Sequence, residues 1–209
     1  MGFVSLHVHD QYSLLDSVAK LEHLVLRAQE LGMTALGLTN HGHLFSHIKF
    51  YHRCRQAGLK PIIGVEAYVC ENHLEKKTPE RHHLTLLAIS QPGYQNLLQL
   101  VSKSYRDGFY YRPRIDWTLL AQHHEGLVCL TGCMSSELNK LILARQTNKI
   151  KYWLERAKTI FGKRLFWEYT PAKYQDTPIG IAAGVELVKQ FKLTPIVTSD
   201  VHYVKQQDV

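Results

Sequence analysis

Short apolar runs alternate with segments of helical periodicity along almost the whole chain, and this alternation limits the folds that the chain can adopt. Seven of the runs are rich in residues that favour strands: Phe3–Leu6, Ala35–Thr39, Pro61–Val65, Leu84–Ile89, Leu127–Thr131, Leu165–Tyr169 and Pro195–Ser199. Between them, two helices are predicted to end at Gly32 and Gly58, and four to span Tyr94–Tyr105, Ser135–Leu143, Ile150–Phe161 and Ile179–Phe191. Strands that alternate with helices form βα units and favour an α/β fold with parallel pairing.

The number of strand runs and the polar residues that follow them predict a barrel. Seven runs are one fewer than the strands of the common (β/α) barrel, and an open doubly wound sheet is the alternative. Barrel enzymes place their chemistry at the C-terminal ends of the strands. Nearly every run here leads into residues that can bind a metal ion, namely His7 and His9, Asn40 and His41, Glu66, Cys133, Glu168, and Asp200 with His202.

His83 departs from this pattern because it precedes its strand run instead of following it. An antiparallel or offset strand would bring it to the same mouth of the barrel, and so would a run that begins earlier. The sequence leaves these possibilities open. It also leaves open whether Glu168 is a metal ligand, a hydrogen-bond partner of a ligand histidine, or neither.

The 209 residues include 13 histidines, and two of them stand in a paired spacing. His7 and His9 point to one face of their strand, because side chains alternate with period two. Asp200 and His202 repeat that spacing at another strand end. A cysteine thiolate such as Cys133 favours zinc, and carboxylates extend the site to harder ions such as manganese. An isolated histidine is more often an ordinary surface or core residue, which is our interpretation of His23, His43, His47, His52, His73, His123 and His124.

Composition bounds the partners of the chain. A formal net charge of +7 and a pI of about 9.2 favour anionic partners, with nucleic acid first among them. The four cysteines form no CxxC pair, and no run is long enough to span a membrane. The first ten residues carry no secretory signal pattern. These features predict a cytoplasmic protein without a membrane partner.

Seven segments in order along the chain carry a family resemblance. They are His7-x-His9 with Tyr12, Ser13 and Asp16, then LGLTNHG from Leu36, KPIIGVE from Lys60, HLT from His83, GFYYRPRID from Gly108, TGC from Thr131 and SDVHY from Ser199. Together they resemble the PHP (polymerase and histidinol phosphatase) domain at the N-terminus of bacterial DNA polymerase III alpha subunits. The KPIIGVE and GFYYRPRID segments are similar to the polymerase branch and not to the free-standing phosphatases.

The resemblance implies a distorted (β/α)7 barrel with its metal site at the C-terminal ends of the strands. It implies a single PHP domain over residues 1–209 that is a fragment of a much longer polymerase chain. Two or three divalent ions (zinc, manganese or magnesium) would bind. The implied ligand sets are His7, His9, Glu66 and Asp200 for one ion, Glu66, His83 and Cys133 for a second, and Asp16, His41 and His202 for a third. The catalytic residues would be His7, His9, Glu66 and Asp200, and no ligand position is replaced.

The activity implied by the resemblance is metal-dependent 3′–5′ exonuclease cleavage of DNA, with the remaining polymerase domains and other replisome subunits as partners. Clustered cations can lower the pKa of a bound water towards ~7, so no side-chain nucleophile is needed. The alternatives are a small-molecule phosphatase of histidinol-phosphatase type and a non-catalytic domain braced by metals. A segment of mixed basic and aromatic residues could contact nucleic acid through Arg106, Tyr110, Tyr111, Arg112 and Arg114, although an ordinary structured loop is the simpler interpretation.

Overall fold

The computed structural model describes residues 2–77, 79–171 and 177–208, which form an α/β architecture. The helices are α1 Leu21–Glu30, α2 His47–Gln56, α3 Gln91–Arg106, α4 Trp117–Gln122, α5 Glu137–Leu143, α6 Thr147–Phe161 and α7 Thr177–Phe191. The strands are β1 Ala35–Leu38, β2 Lys60–Val69, β3 His82–Ala88, β4 Arg114–Ile115, β5 Leu127–Leu130, β6 Leu165–Tyr169 and β7 Thr194–Val197. The alternation predicted from the sequence is confirmed, and the short elements β4 and α4 are additions to it.

Local signals in the sequence set several of the helix ends. Asp116 begins α4 and accepts a hydrogen bond from the Leu119 amide, as a helix-capping carboxylate does. Ser90 caps α3 in the same way through the Gly93 amide. Gly32 and Gly58 follow α1 and α2 with φ angles of +67° and +73°, a conformation that glycine adopts without steric cost.

The sheet has the strand order β1-β2-β3-β5-β6-β7, and β4 pairs with β2 outside this path. Neighbouring strands run parallel except for β3, which is antiparallel to both β2 and β5. The start of β3 therefore lies beside the C-terminal ends of its neighbours. This reversal places His83 at the same mouth as the other predicted ligands. The strand also begins at His82, before the predicted start at Leu84, so the antiparallel direction and the earlier start are both confirmed.

The first predicted strand, Phe3–Leu6, is not a regular strand in the structure, and the pairing lies slightly later in the chain. The Gly37 amide donates to the Ser5 carbonyl, and the Thr39 amide to the Val8 carbonyl, so this extended segment lines β1. On its other side, Val8 forms a parallel bridge with Val201, and the His9 amide donates to the Val201 carbonyl. The extended segment 5–9 thus joins the two edges of the curved sheet and closes the barrel.

Two apolar clusters support this sheet from outside. The larger one packs α3, α5 and α6 against β2, β3, β5 and β6, with Trp153, Leu154 and Phe161 of α6 fully or almost fully buried. The smaller one packs α1 and α2 against β1 through residues such as Leu38 and Phe50. Both lie behind the strands, so the ends of the strands remain available for polar side chains. Among the described residues, no helix is long and apolar enough to cross a bilayer.

Candidate metal centre

Glu66 lies at the centre of the polar cluster at the barrel mouth. It stands within the long strand β2 with a side chain that is only 1% exposed. A parallel bridge pairs Glu66 with His41 beyond the end of β1, and Thr85 of β3 is its partner on the other side. Its Oε1 atom faces His7, His83 and Cys133, and its Oε2 atom faces His9 and His41.

The first group consists of His7, His9, Glu66 and Asp200. The His7 Nε2 atom lies 3.3 Å from Glu66 Oε1 and 3.5 Å from Asp200 Oδ1. The His9 Nε2 atom lies 3.5 Å from both Glu66 Oε2 and Asp200 Oδ1. Ligands at about 2.1 Å from a tetrahedrally coordinated ion are separated by roughly 3.4 Å. The observed separations therefore match a shared ion.

Unpaired buried atoms provide an independent test of that fit. The His7 Nε2, His9 Nε2 and Asp200 Oδ1 atoms are buried, and none has a hydrogen-bond partner within the described parts of the chain. Buried polar atoms without a partner are unfavourable, and native proteins seldom leave them so. Three such atoms that converge on one point fit a divalent cation, which would satisfy all of them at once.

The second and third groups lie on either side of the first. Glu66 Oε1 lies 3.0 Å from His83 Nδ1 and 3.2 Å from Cys133 Sγ, so the second set is also assembled. The third set is centred on Asp16, whose Oδ2 atom lies 2.6 Å from His41 Nε2 and 2.7 Å from His202 Nε2.

His41 connects the third group to the first, because its Nδ1 atom lies 2.8 Å from Glu66 Oε2. All nine predicted ligands therefore meet at one mouth, with Asp16 the most exposed member. Measurement of metal binding tests whether these nine residues are ligands.

Glu168 supports the first group from outside. Its Oε1 atom accepts hydrogen bonds from His7 Nδ1 at 2.8 Å and from the Thr198 hydroxyl at 2.7 Å. The bond to Nδ1 fixes the ring so that Nε2 faces Glu66 and Asp200. Metal-binding histidines usually have such a carboxylate partner, which fixes the tautomer and the ring orientation. Of the three roles left open by the sequence, this geometry supports the hydrogen-bond partner of a ligand.

A second buried network, which the sequence did not single out, holds His9. The His9 ring contacts the Ser13 hydroxyl at 3.1 Å, and that hydroxyl donates to Asn40 Oδ1 at 3.0 Å. The Asn40 amide group donates to Asp10 at 2.8 Å, and Ser46 also donates to the same carboxylate. Asp10 is fully buried, although it lies outside the helices and strands. Its position directly after the His-x-His pair is the sequence feature that could have identified it.

Burial and nearby charges both shift the pKa values of the groups in this centre. Burial lowers the pKa of His7, but the carboxylates of Glu168 and Glu66 outweigh it and raise the pKa of His7 well above its usual range. Burial holds the pKa of His9 at about 4, although Asp200 and Glu66 act in the opposite direction. Burial would raise the pKa of Glu66, yet the imidazoles around it lower that pKa well below its usual range. Burial, with Glu66 and Asp200, strongly raises the pKa of the Cys133 thiol. Without a cation, this thiol is therefore protonated.

A cleft of 910 Å³ opens in front of the centre. Asp16, His41 and His83 form its floor on the metal side. Its walls carry the aromatic residues Tyr12, Phe45, Tyr68, Tyr105, Phe109 and Tyr111 and the basic residues Arg81, Arg112 and Lys140. The cleft is therefore both basic and aromatic at the place where a substrate would approach the cations.

The five residues predicted to contact nucleic acid fall into different environments. Tyr111 and Arg112 line the cleft. Arg106 is exposed and pairs with Asp107 at 2.7 Å, and Tyr110 packs against the Arg114 guanidinium at 5.3 Å. Arg114 is only 1% exposed and donates to the carbonyls of Gly108 and Glu75. The prediction that Arg114 contacts nucleic acid is therefore wrong, because its charge is used inside the fold.

A curved α/β barrel with histidine, carboxylate and thiol groups gathered at one mouth defines a class of metal-dependent barrel domains. The chain belongs to the PHP domain family, whose model matches residues 5–172. Along almost its full length it is similar to DNA polymerase III subunit alpha, at 36% identity in Aquifex aeolicus and 38% in Thermus aquaticus. The chain spans 19% and 18% of the length of those two relatives, while they cover 99% and 100% of the chain.

Solved structures support the same fold. An amidohydrolase from Chromobacterium violaceum superposes with a TM-score of 0.60 at 13% identity, covering 99% of this chain and 89% of that one. A putative metal-dependent phosphoesterase from Bifidobacterium adolescentis gives 0.55 at 11% identity, with coverage of 95% and 87%. At these identities the likeness concerns the fold alone. The predicted PHP-type barrel and the resemblance to the polymerase branch are both confirmed.

Proposed function

We propose that this chain is a metal-dependent phosphodiesterase domain that removes nucleotides from the 3′ end of DNA. The observation that carries the proposal is the convergence of the other eight ligand candidates at the mouth around Glu66, with three buried atoms that have no hydrogen-bond partner in the described parts of the chain. Its similarity to DNA polymerase III alpha subunits supports DNA as the substrate and the other domains of such a polymerase as partners. We further propose that the chain is one domain of a longer polymerase of this kind.

The residues divide the work in this proposal between holding the cations and positioning the substrate. His7, His9, Glu66 and Asp200 would hold one ion, and the sets around Cys133 and Asp16 would hold the others. Divalent cations bound there supply Lewis acidity and an activated water. Glu168 keeps His7 in the required orientation. Metal analysis identifies the bound cations as zinc, manganese or magnesium. The mixture of thiol, imidazole and carboxylate groups supports zinc or manganese first.

The cleft supports a polymeric substrate over a small phosphate monoester. Arg81, Arg112 and Lys140 are placed to neutralise several backbone phosphates, which a small molecule does not carry. The flat aromatic residues between these cations suit unpaired bases. A small-molecule phosphatase of histidinol-phosphatase type remains the competing enzyme, and comparing turnover on p-nitrophenyl phosphate and on a DNA strand separates the two.

The test is nucleotide release from a 5′-labelled single DNA strand by the protein loaded with manganese or zinc. We expect stepwise shortening from the 3′ end. His9→Ala and Asp200→Asn should reduce the rate by more than about a hundredfold, since even outer partners of a metal matter on that scale. His52→Ala, on the exposed face of α2, is the matched histidine control and should retain full activity. Shortening that persists in both ligand variants, or none with any metal, contradicts the proposal.

A metal-braced structural role is favoured by a separate observation. The candidate ligands come from the segment 5–9, from β2 and β3, and from the turns around Cys133 and Asp200, which are distant along the chain. A cation shared among them would link these parts of the barrel. This role is compatible with catalysis, and thermal unfolding with and without metal tests it.

A further inference from the structure

Three exposed aromatic side chains form a row along the wall of the cleft. Phe45, Tyr105 and Phe109 are 68%, 38% and 48% exposed. The ring centroids of Phe45 and Tyr105 are 6.2 Å apart, and those of Tyr105 and Phe109 are 6.1 Å apart. We call these three residues the ring row. A contiguous exposed aromatic surface in a cleft marks a binding site more often than an isolated exposed ring does.

The scaffold holds the ring row in place from behind. Phe45 lies in the turn before α2, Tyr105 in the last turn of α3, and Phe109 just after that helix. The buried His43 ring stacks on Phe45 with a centroid distance of 4.3 Å and an interplanar angle of 8°. His43 is itself fixed by a 2.8 Å contact of its Nε2 atom with the Tyr12 carbonyl. Such support reduces the conformational entropy that Phe45 loses when a ligand stacks on it.

A positive charge joins the ring row to the metal side of the cleft. The Tyr68 ring stacks beside the ligand candidate His41 at 5.8 Å and 18°. Arg112 lines the same cleft as Tyr68, Tyr105 and the ligand candidates His41 and His83. Flat rings and a cation in one cleft match the bases and phosphates of a single strand.

We propose that the ring row is a stacking platform for the unpaired bases at the 3′ end of a DNA strand, with Arg112 bound to the phosphates between the platform and the cations. This rests on the proposed phosphodiesterase function and names the form of its substrate. Bases within a duplex stack on one another, so they offer no free face to the ring row. The platform therefore selects frayed or single-stranded 3′ ends over paired ends. Every base has a flat face, so it selects no particular base.

Strand binding tests the platform directly. The manganese-loaded protein is titrated with a fluorescent single DNA strand of about ten nucleotides, whose 3′ linkages are phosphorothioates that resist cleavage. Phe45→Ala and Phe109→Ala should each weaken binding roughly 5- to 100-fold, the range for loss of one stacked base. Phe45→Tyr and Phe109→Tyr keep a ring and should bind like the unmodified protein. Tyr51→Ala removes an exposed aromatic residue outside the cleft and is the matched control.

The outcomes separate this proposal from the one on which it rests. Binding that is unchanged in both alanine variants, or a blunt duplex that binds as tightly as the single strand, overturns the platform even where nucleotide release is observed. Ring-dependent binding with no release from an unmodified strand supports the platform and contradicts the exonuclease. Melting temperatures equal to that of the unmodified protein show that the variants are folded, as expected for exposed side chains.

Discussion

At the scale of single residues, the candidate metal centre depends on side chains outside the proposed ligand sets. Glu168 accepts the His7 Nδ1 hydrogen bond and leaves Nε2 facing the centre. Asp10, Asn40 and Ser46 hold Ser13 and, through it, the His9 ring. These contacts set the orientation of both histidines before any ligand arrives. Preorganisation of this kind reduces the conformational entropy that the side chains lose when a metal binds.

Glu168 provides the first prediction at this scale. Glu168→Ala removes the acceptor of His7 Nδ1, so the ring is free to rotate, and affinity for zinc or manganese should fall about 10- to 100-fold. Glu168→Gln keeps an acceptor oxygen, so its metal affinity should lie between those of Glu168→Ala and the unmodified protein. Competition with a chromogenic chelator measures the affinity. Glu155→Ala on the exposed side of α6 is the control, and equal affinities for all variants would show that Glu168 does not position His7.

Asp116 provides a pH prediction away from the metal centre. Burial would raise its pKa, but hydrogen bonds from His73 and from the Leu119 amide hold that pKa below its usual value. A carboxyl group with a lowered pKa stabilises the fold above its unfolded pKa of about 3.9, and this stabilisation disappears as the pH falls through the folded value.

Asp116→Asn should therefore lower the free energy of unfolding by about 1–2 kcal/mol at pH 5 to 6. The difference from the unmodified protein should shrink as the pH falls below about 4. Urea denaturation of chelator-treated samples, followed by circular dichroism, measures it. Glu125→Gln at an exposed position is the control. A difference that grows on acidification would contradict the assignment.

That the candidate ligands converge was predictable from the sequence, but the hydrogen bonds that hold them in place were not. The period of two in a strand places His7 and His9 on one face, and the strand ends collect Glu66, Cys133 and Asp200. Neither Asn40 nor Ser46 is in the ligand sets that the resemblance implies, yet both donate hydrogen bonds to the buried Asp10. A one-dimensional pattern does not show which polar side chains turn inward. The same limitation explains Arg114, whose neighbours in sequence suggested a surface role.

At the scale of elements, the segment 5–9 is held in place by its contact with β1. A Cβ atom added to Gly37 would lie 2.6 Å from the Leu6 carbonyl oxygen and 2.9 Å from its Cα. Both are backbone atoms that cannot move aside without displacing the segment. Glycine is therefore required at this position because two backbones approach closely.

Gly37→Ala should push the segment 5–9 away from β1 and carry the two histidines of the first ligand group with it. We expect a loss of stability of about 1–3 kcal/mol, as for other overpacked sites, together with weaker metal binding. Thermal unfolding and metal titration measure the two effects. Gly180→Ala in α7 is the matched control, because its added Cβ meets only Asn139 at 3.5 Å. If the Gly37→Ala protein is destabilised but binds metal with unchanged affinity, the packing of this segment on β1 does not position the two histidines.

The elements themselves were largely predictable, and the exceptions have physical causes. Six of the seven strand runs are strands, because apolar β-branched residues between turn signals give a strong pattern. The run Phe3–Leu6 forms no ladder of its own and instead bonds β1 through single contacts on one side. Strand direction carries no local signal, so the reversal of β3 remained undecided until the pairing was seen. The two-residue strand β4 and the short helix α4 are below the length at which periodicity is informative.

At the scale of the whole molecule, the centre joins parts of the chain that lie far apart in sequence, and metal removal should reveal this. Chelation with EDTA should lower the melting temperature by about 5–10 °C, the shift expected when a ligand at roughly a hundredfold its Kd is lost from a chain of this size. Asp200→Ala, which lacks one of the three proposed sites, should show a smaller shift on chelation than the unmodified protein, whereas His52→Ala should respond like the unmodified protein. A melting temperature that is insensitive to EDTA would rule out a bracing role for metals.

The closure of the barrel by the segment 5–9 has a consequence for biosynthesis. His7 and His9 emerge first from the ribosome, but their hydrogen-bond partner Val201 and their neighbour Asp200 emerge almost two hundred residues later. Until these two residues emerge, the first ligand group lacks Asp200, so the proposed cleavage could not begin on a nascent chain that stops short of them. For the proposed exonuclease, competence would arrive in one step, when the segment around Val201 meets the waiting histidines, and a product interrupted before that step would be inert towards DNA.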